Sequence, residues 1–467
     1  MSEIIFDKQA KKHSIHSAID KVDDTFYFGF QLPIRSAADS IDKNLCFIPS
    51  NKDAFVVNED NLAHRNLQLL YPTVIISPKW DTEDMRNFLQ SDTSSESYFE
   101  LPYIIAKESR KYLVFVDKRT ELLTSLWIIG TYLQPIWDSY PYLSISGTKR
   151  SGKTKTLEFI KLLAFNSLLS ASISTAQIYR LIESTQCTFL LDESQKYSSA
   201  ERQEEIRNIL NAGYKKGASV FRTGKTSKGK MFPERFEVFS PKAIVSYTGL
   251  EDILEDRCIP IIMIRSKNKK IVNKSMKEND AIWQNIRNRL YRFALDKWNE
   301  IESIYQNQEI EVEHEDYMSR ERELWQPILI LASYFKILNK ISPYIIDAID
   351  KRQELERMTP IHELLKVLYH LVNESRNYTN AEIRTKAAEM SEDGQIPVYM
   401  TPQWIGATLI REFNVSRGKR EAYDGKRSSG YYLEPKQIRR LCITNDVDIE
   451  ISKDNKLNVL LKELEKQ

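Results

Sequence analysis

Gly147-Thr148-Lys149-Arg150-Ser151-Gly152-Lys153-Thr154 fits G-x-x-x-x-G-K-[ST], the pattern of a phosphate-cradling loop. Its flanks carry most of the reading. Tyr142-Leu143-Ser144-Ile145-Ser146 before it reads as a short buried strand. From Thr154 to Leu163 apolar residues recur at helical spacing. Strand, glycine loop and helix come in the order that phosphate binding needs. The glycines let successive N–H groups turn toward one anion, and the helix N-terminus adds partial positive charge there. In this arrangement Lys153 reaches the β- and γ-phosphates and the Thr154 hydroxyl holds Mg²⁺. A chance match in a surface turn would lack such flanks.

Working outward, Ser170–Ser174 reads as a short strand, Ala176–Glu183 as a helix, and Cys187–Leu191 as a buried strand that ends in Asp192-Glu193. At the C-terminal end of such a strand, where open α/β sheets place ligands, Asp192 is expected to hold Mg²⁺ through water. Glu193 is expected to polarise the attacking water as general base. Ala200–Ala212 is helical, and 218–223 and 235–239 read as two strands around a basic glycine-rich turn, Gly224–Lys230. From Gly213 to Met231 there is no acidic residue, so Lys225, Lys228 and Lys230 suit sequence-independent phosphate contact with DNA. A further strand, Pro241–Gly249, ends in polar residues, of which Thr248 or Ser246 is the expected γ-phosphate sensor. Arg257 precedes the last strand; it either projects into a neighbouring subunit's nucleotide site or pairs with Glu255 or Asp256.

The chain of 467 residues has 42% apolar residues, ordinary for a globular protein, and a formal net charge of only +2. Any nucleic-acid surface must therefore come from local clustering. The four cysteines, Cys46, Cys187, Cys258 and Cys442, form no C-x-x-C pair, which indicates neither a zinc site nor a disulfide framework. That suits a cytoplasmic location. The N-terminus lacks the pattern of a signal peptide, and the most apolar stretches are too short to span a bilayer. His13, His16 and His64 lack ligand partners at useful spacing.

Residues 1–110 read as a mixed, mostly β domain, with strands at Thr25–Leu32 and Thr73–Ser77 and a polar loop at Ser91–Ser97. The core occupies 111–270 and opens on a strand at 112–116 and an apolar helix, Glu121–Trp137. Residues 271–358 read as a helical lid, with helices at Asp280–Tyr305 and Glu323–Leu338. Within 359–445, helices at His362–Asn373, Thr379–Met390 and Thr401–Phe413 precede a strand–turn–strand around Gly425, the make-up of a winged helix. Six basic residues face three acidic ones between Arg411 and Arg427. The third helix suits a major groove, and Arg417, Lys426 and Arg427 suit phosphate. A winged helix can also serve protein contact. Residues 446–467 form a tail with a charged helix from Leu457.

The order of these parts, with Tyr140-Pro141-Tyr142-Leu143, Leu190-Leu191-Asp192-Glu193 and Leu254-Glu255-Asp256-Arg257-Cys258-Ile259-Pro260-Ile261, resembles the replication ATPases of phages, plasmids and archaeal mobile elements. Those are similar to superfamily 3 helicases of the AAA+ class. The resemblance covers about residues 112–440, including Trp325-Gln326-Pro327. It implies an α/β fold: a P-loop NTPase (AAA+/RecA-like) parallel sheet flanked by helices, with a β-rich N-terminal region, a helical lid and a C-terminal winged-helix domain. It implies ATP and Mg²⁺ as cofactors, a ring-forming homo-oligomer such as a hexamer, and a hairpin, here Gly224–Lys230, that binds DNA inside the ring. It also implies that Arg257 is the finger acting in trans. Single- or double-stranded DNA and a primase or other replication proteins are the expected partners, with no membrane. The sensor departs from the pattern, since neither Ser246 nor Thr248 is the asparagine frequent in superfamily 3. The expected activity is an ATP-dependent DNA motor, a replicative helicase. The alternative is a DNA-binding regulatory or signalling ATPase switch without unwinding. A P-loop kinase is disfavoured, because no second substrate pocket is evident.

Overall fold

Thr25-Phe26-Tyr27-Phe28-Gly29-Phe30 is aromatic at almost every position, so whichever way the strand faces it presents rings to a core. In the computed structural model this stretch starts β3 (Thr25–Arg35), which joins β2 (Ile19–Val22), β4 (Ile41–Pro49) and β5 (Phe55–Val56) in an antiparallel sheet. β1 (His13–His16) pairs in parallel with β6 (Leu67–Leu70). The structure describes residues 12–35, 41–71, 79–91, 97–170, 175–192, 200–225, 231–246, 252–307, 310–314, 317–357, 359–391, 394–423, 426–445 and 447. The expected strand Thr73–Ser77, most of the loop at Ser91–Ser97 and the tail helix from Leu457 lie outside them. The chain divides into two compact units, Met1–Ile346 and Asp347–Gln467.

The β-rich N-terminal region shares its core with the rest of the first unit. Phe28 meets Tyr291 edge-on with ring centroids 5.0 Å apart, and Trp80 stacks on the same ring at 5.2 Å. Tyr291 belongs to the helix Ala281–Asn307, which also seats Trp283, Phe293 and Trp298 inside. Burying each such ring is worth roughly 2–3 kcal/mol, which ties this helix to both neighbours.

The centre of the first unit is a five-stranded parallel sheet in the order β13-β7-β12-β9-β8. Its members are β7 (Tyr142–Gly147), β8 (Leu168–Ser170), β9 (Phe189–Asp192), β12 (Lys242–Val245) and β13 (Cys258–Met263). All four residues of β9 and of β12 are buried, as expected for parallel strands covered on both faces. Parallel pairing requires crossovers. The helices Lys153–Leu163, Thr175–Thr185, Ala200–Ala212 and Asp252–Glu255 supply them. The crossover from β9 to β12 also carries an antiparallel hairpin, β10 (Ser219–Lys225) and β11 (Met231–Glu237). From β7 the chain runs outward to β8, returns through β9, and inserts β12 beside β7; β13 then takes the other side of β7. Parallel strands end on one edge, so Gly147, Asp192, Val245 and Met263 are brought together there.

The entry to β12 is pinned by Lys242, whose side chain is wholly buried. Its Nζ donates to the carbonyls of Val238 (3.0 Å), Ser240 (3.0 Å) and Gly213 (3.2 Å) and to Ser240 Oγ (3.1 Å).

Two expectations need correction. The strand at 112–116 reduces to a single antiparallel bridge, Phe115 to Met263. Extension stops because Asp117 accepts from the Arg119 N–H at 2.8 Å and opens the helix Arg119–Gly130. The second lid helix covers Ser319–Tyr334 rather than reaching Leu338. Lys336, at φ 57°, turns the chain left-handed, and a third helix, Leu338–Arg357, follows. Among the described residues no helix is long and apolar enough to cross a membrane.

The second unit holds helices Pro360–Leu371, Asn380–Met390, Pro402–Arg411 and Pro435–Thr444. Its antiparallel sheet has the order β14 (Arg376–Thr379), β16 (Lys426–Leu433), β15 (Arg417–Tyr423). The three expected helices and the hairpin are present; β14 and the last helix are additions. Thr379 caps the second helix in a capping box with Glu382. Leu364, Leu368, Ile383, Ile405, Leu409 and Leu433 fill the core between helices and sheet.

Candidate functional site

β7 delivers the loop 147–152 to the sheet's C-terminal edge. Gly147 at φ 144°, Arg150 at φ 66° and Gly152 at φ 96° bend it back on itself. A Cβ at Gly147 would collide with the carbonyl oxygen of Met263, so the close approach of β13 requires glycine there. Gly152 is the N-cap of Lys153–Leu163 and offers no side chain to its first N–H groups. A helix N-terminus without a side-chain cap is open to an anion. Ser151 is buried at 6% exposure with its Oγ unpaired in the same loop.

Lys153, only 4% exposed, folds over the loop. Its Nζ donates to the carbonyls of Gly147 (2.7 Å) and Thr148 (3.1 Å). Burial holds its ammonium below the ordinary lysine range, and the charge of Asp192 works in the opposite direction. Thr154 Oγ1 donates to Asp192 Oδ2 at 2.9 Å. Two residues 38 apart in sequence are thus joined, because β9 and β7 flank β12 in one parallel register. A loop with open N–H donors, an ammonium and a hydroxyl–carboxylate pair are groups that could hold a nucleotide phosphate with a hard divalent cation such as Mg²⁺. Thr148 and Lys149 complete the loop.

Glu193 and Thr248 lie outside the described residues. Of the two expected sensors, Ser246 is described. It follows β12, is 4% exposed, and its N–H donates to the Ile145 carbonyl at 3.2 Å. It therefore stands between the strand that leads to the loop and the strand that ends at Asp192.

Arg257 is not in its own chain's site. It precedes β13, and its carbonyl accepts from the N–H of Tyr142, the first residue of β7. That is the edge opposite the loop 147–152. Its Nη1 donates to Asn211 Oδ1, and its guanidinium lies 5.9 Å from the Tyr214 ring centroid. Among the described residues it makes no ion pair with Glu255 or Asp256, and its Nε is buried and unpaired. Asn211 as its holder had no signal in the sequence.

The basic hairpin is regular, with seven cross-strand pairs from Ser219–Glu237 to Lys225–Met231. Lys228, Lys230 and the Lys225 side chain lie outside the described part. Phe221 (62% exposed) and Met231 (63%) face outward on the hairpin, while Val220 and Phe236 face inward. Adjacent Val220 and Phe221 are both apolar, so alternation could not tell which faced solvent. In the second unit Arg417 is exposed at the start of β15. Lys426 and Arg427 pair through their backbones with Tyr423 and Ala422; their side chains lie outside the described part.

No protein-family model matches the chain, and no curated protein matches it. Among solved structures, it is similar to the apo A form of the NrS-1 C-terminal region. That similarity has 12% identity and a TM-score of 0.33, over 89% of this chain and 96% of that one.

Proposed function

We propose that this chain is an ATP-hydrolysing motor that acts on DNA, a ring-forming replicative helicase of a phage, plasmid or mobile element. The observation that carries the reading is the Thr154–Asp192 hydrogen bond beside a glycine loop crossed by Lys153. It joins the glycine loop's helix to the acidic end of β9 through the sheet, which is what a nucleotide site would need. The winding order, with β12 inserted between the loop strand and the acidic strand, supports the P-loop NTPase assignment. The second unit's helices and hairpin support a winged helix.

In this reading Lys153 exchanges its two carbonyl partners for the β- and γ-phosphates of ATP. Thr154 and Asp192 hold Mg²⁺, which supplies charge neutralisation at those phosphates when bound. Glu193, next after Asp192, takes a proton from the attacking water. Ser246, or Thr248 beyond it, contacts the γ-phosphate. Arg257 stands on the opposite edge and acts on the site of an adjoining subunit, where its fork stabilises charge on the transferring phosphoryl group. The hairpin lysines and Arg417, Lys426 and Arg427 contact DNA phosphates.

The deciding measurement is ATP hydrolysis by the purified chain with and without single-stranded DNA, beside Glu193→Gln and a Lys225/Lys228/Lys230→Ala triple variant. The motor reading expects DNA stimulation in wild type, none in Glu193→Gln, and basal turnover without stimulation in the triple variant. Turnover that ignores DNA in every protein would falsify it.

A further inference from the structure

A cavity of about 220 Å³ lies in the first unit, away from the phosphate loop, where β1, β2 and β6 meet the 3₁₀ segment Thr131–Ile136, the end of helix Thr175–Thr185 and the foot of β11. Its wall carries three carboxylates, Asp20, Glu183 and Glu237, against one ammonium, Lys216. Neighbouring cations are engaged: Lys21 with Glu302 at 2.6 Å, Arg180 with Glu234 at 3.3 Å, and Arg235 with Ser219 Oγ at 2.7 Å. Lys216 itself donates to the Pro135 carbonyl. His16 adds no charge. Its Nδ1 accepts the Ala18 N–H at 3.0 Å, which leaves Nε2 to donate to the Glu183 carbonyl at 2.7 Å, so the ring is neutral.

A second observation is independent of this acidic excess. Gln134, 2% exposed, borders the cavity; its Nε2 donates to the Phe239 carbonyl at 3.2 Å, while Oε1 is buried with no donor. A buried amide oxygen without a donor costs roughly 1–3 kcal/mol. Burial pushes Asp20 up to about 6, against the backbone N–H groups of His16 and Lys21 and the charge of Lys216, and burial raises Glu183 as well. A metal ion does not suit the wall: among the described residues no three His, Cys, Asp or Glu side chains group closely enough to hold one. The acceptors are spread out and interleaved with Leu70, Ile182 and Phe239. Spread acceptors with apolar surface between them match N–H donors joined by a short alkyl chain.

We propose that this cavity binds a small organic cation, an alkyl amine or guanidine, whose N–H groups meet the Asp20, Glu183 and Glu237 carboxylates and Gln134 Oε1. The site is separate from the nucleotide loop, and the inference stands whether or not the chain is a DNA motor. The test is calorimetric titration of the full chain with 1,4-diaminobutane and with 4-guanidinobutylamine. Tetramethylammonium at matched ionic strength serves as the cation without N–H donors. The expected result is saturable one-site binding of either amine and none of tetramethylammonium. Gln134→Met and Glu237→Gln should each weaken binding about tenfold or more, the size of one lost charge-assisted hydrogen bond. Glu234→Gln, outside the cavity, should leave it unchanged. Glu237 is exposed, so its variant decides the matter even if Gln134→Met fails to fold. Equal heats from tetramethylammonium, or wild-type affinity in Glu237→Gln, would overturn the assignment.

Discussion

Replacing Lys242 by methionine asks how β12 is anchored, and through it Ser246. The Gly213 carbonyl also accepts the Ser240 N–H at 3.3 Å, so it keeps a partner when the amine is removed. The carbonyls of Val238 and Ser240 do not; among the described residues Lys242 Nζ is their donor. Two stranded acceptors at roughly 1–3 kcal/mol each predict a loss of about 2–5 kcal/mol at pH 7. The pH dependence gives a second, independent readout. Burial pushes the Lys242 ammonium down to about 7 from 10.5. Between those values the unfolded chain binds the proton and the folded chain does not, so this group's contribution to stability rises with pH. At about 1.4 kcal/mol per pH unit, the gain from pH 7 to pH 9 is about 2 kcal/mol. Methionine binds no proton. The stability gap between wild type and Lys242→Met should therefore widen by about 2 kcal/mol over that interval. Urea unfolding of both proteins at pH 7, 8 and 9 measures it. A gap that stays constant or narrows refutes the account of a desolvated, hydrogen-bonded amine.

Asp192→Asn keeps the shape of the Thr154 contact but halves the site's capacity for a divalent cation; turnover should drop by about 100-fold or more, a loss read in steady-state hydrolysis over a Mg²⁺ titration. Gly406→Ala would drive a Cβ into the Tyr431 hydroxyl; the second unit should lose about 1–3 kcal/mol, seen as a lowered melting point with hydrolysis by the first unit unchanged. Thr379→Ala removes half of the capping box with Glu382, and the expected cost is about 1 kcal/mol in chemical denaturation of that unit. Arg257→Ala should bind nucleotide normally yet fail to hydrolyse it. Mixing it with Lys153→Ala subunits should restore part of the activity, because each mutant supplies what the other lacks; mixtures as inactive as the parents count against action in trans.

The glycine loop between its strand and helix was legible because its signal is local: Gly147, Gly152, Lys153 and Thr154 lie within eight residues, and the flanking strand and helix follow from simple periodicity. Asp192 was legible for a related reason, a buried strand that ends in an acid. What the residues could not convey was the pairing. That β12 enters between β7 and β9 rests on contacts between strands about 50 and 100 residues apart in sequence, and nothing in either stretch encodes its neighbour. The polar, four-residue β14 escaped notice because only its last two residues, Tyr378 and Thr379, are buried. The helix Leu338–Arg357 was not read from the sequence, and it carries Pro343 in its interior, where a proline removes an N–H donor.

The same parallel pairing explains why the site cannot be complete within one chain on the proposed reading. β7 and β13 run side by side in register from Tyr142–Cys258 to Gly147–Met263. A six-residue strand spans about 20 Å at roughly 3.3 Å per residue. Arg257 stands before the first of these residues and the glycine loop follows the last, a separation no arginine side chain bridges. Its guanidinium is nonetheless positioned, by Asn211 on one side and the Tyr214 ring on another, with one nitrogen still unpaired. The half-buried guanidinium is thus held at the edge opposite its own chain's loop, where on the proposed reading it serves the site of an adjoining copy. On that reading assembly, rather than closure of a single chain, would be the step that completes the site.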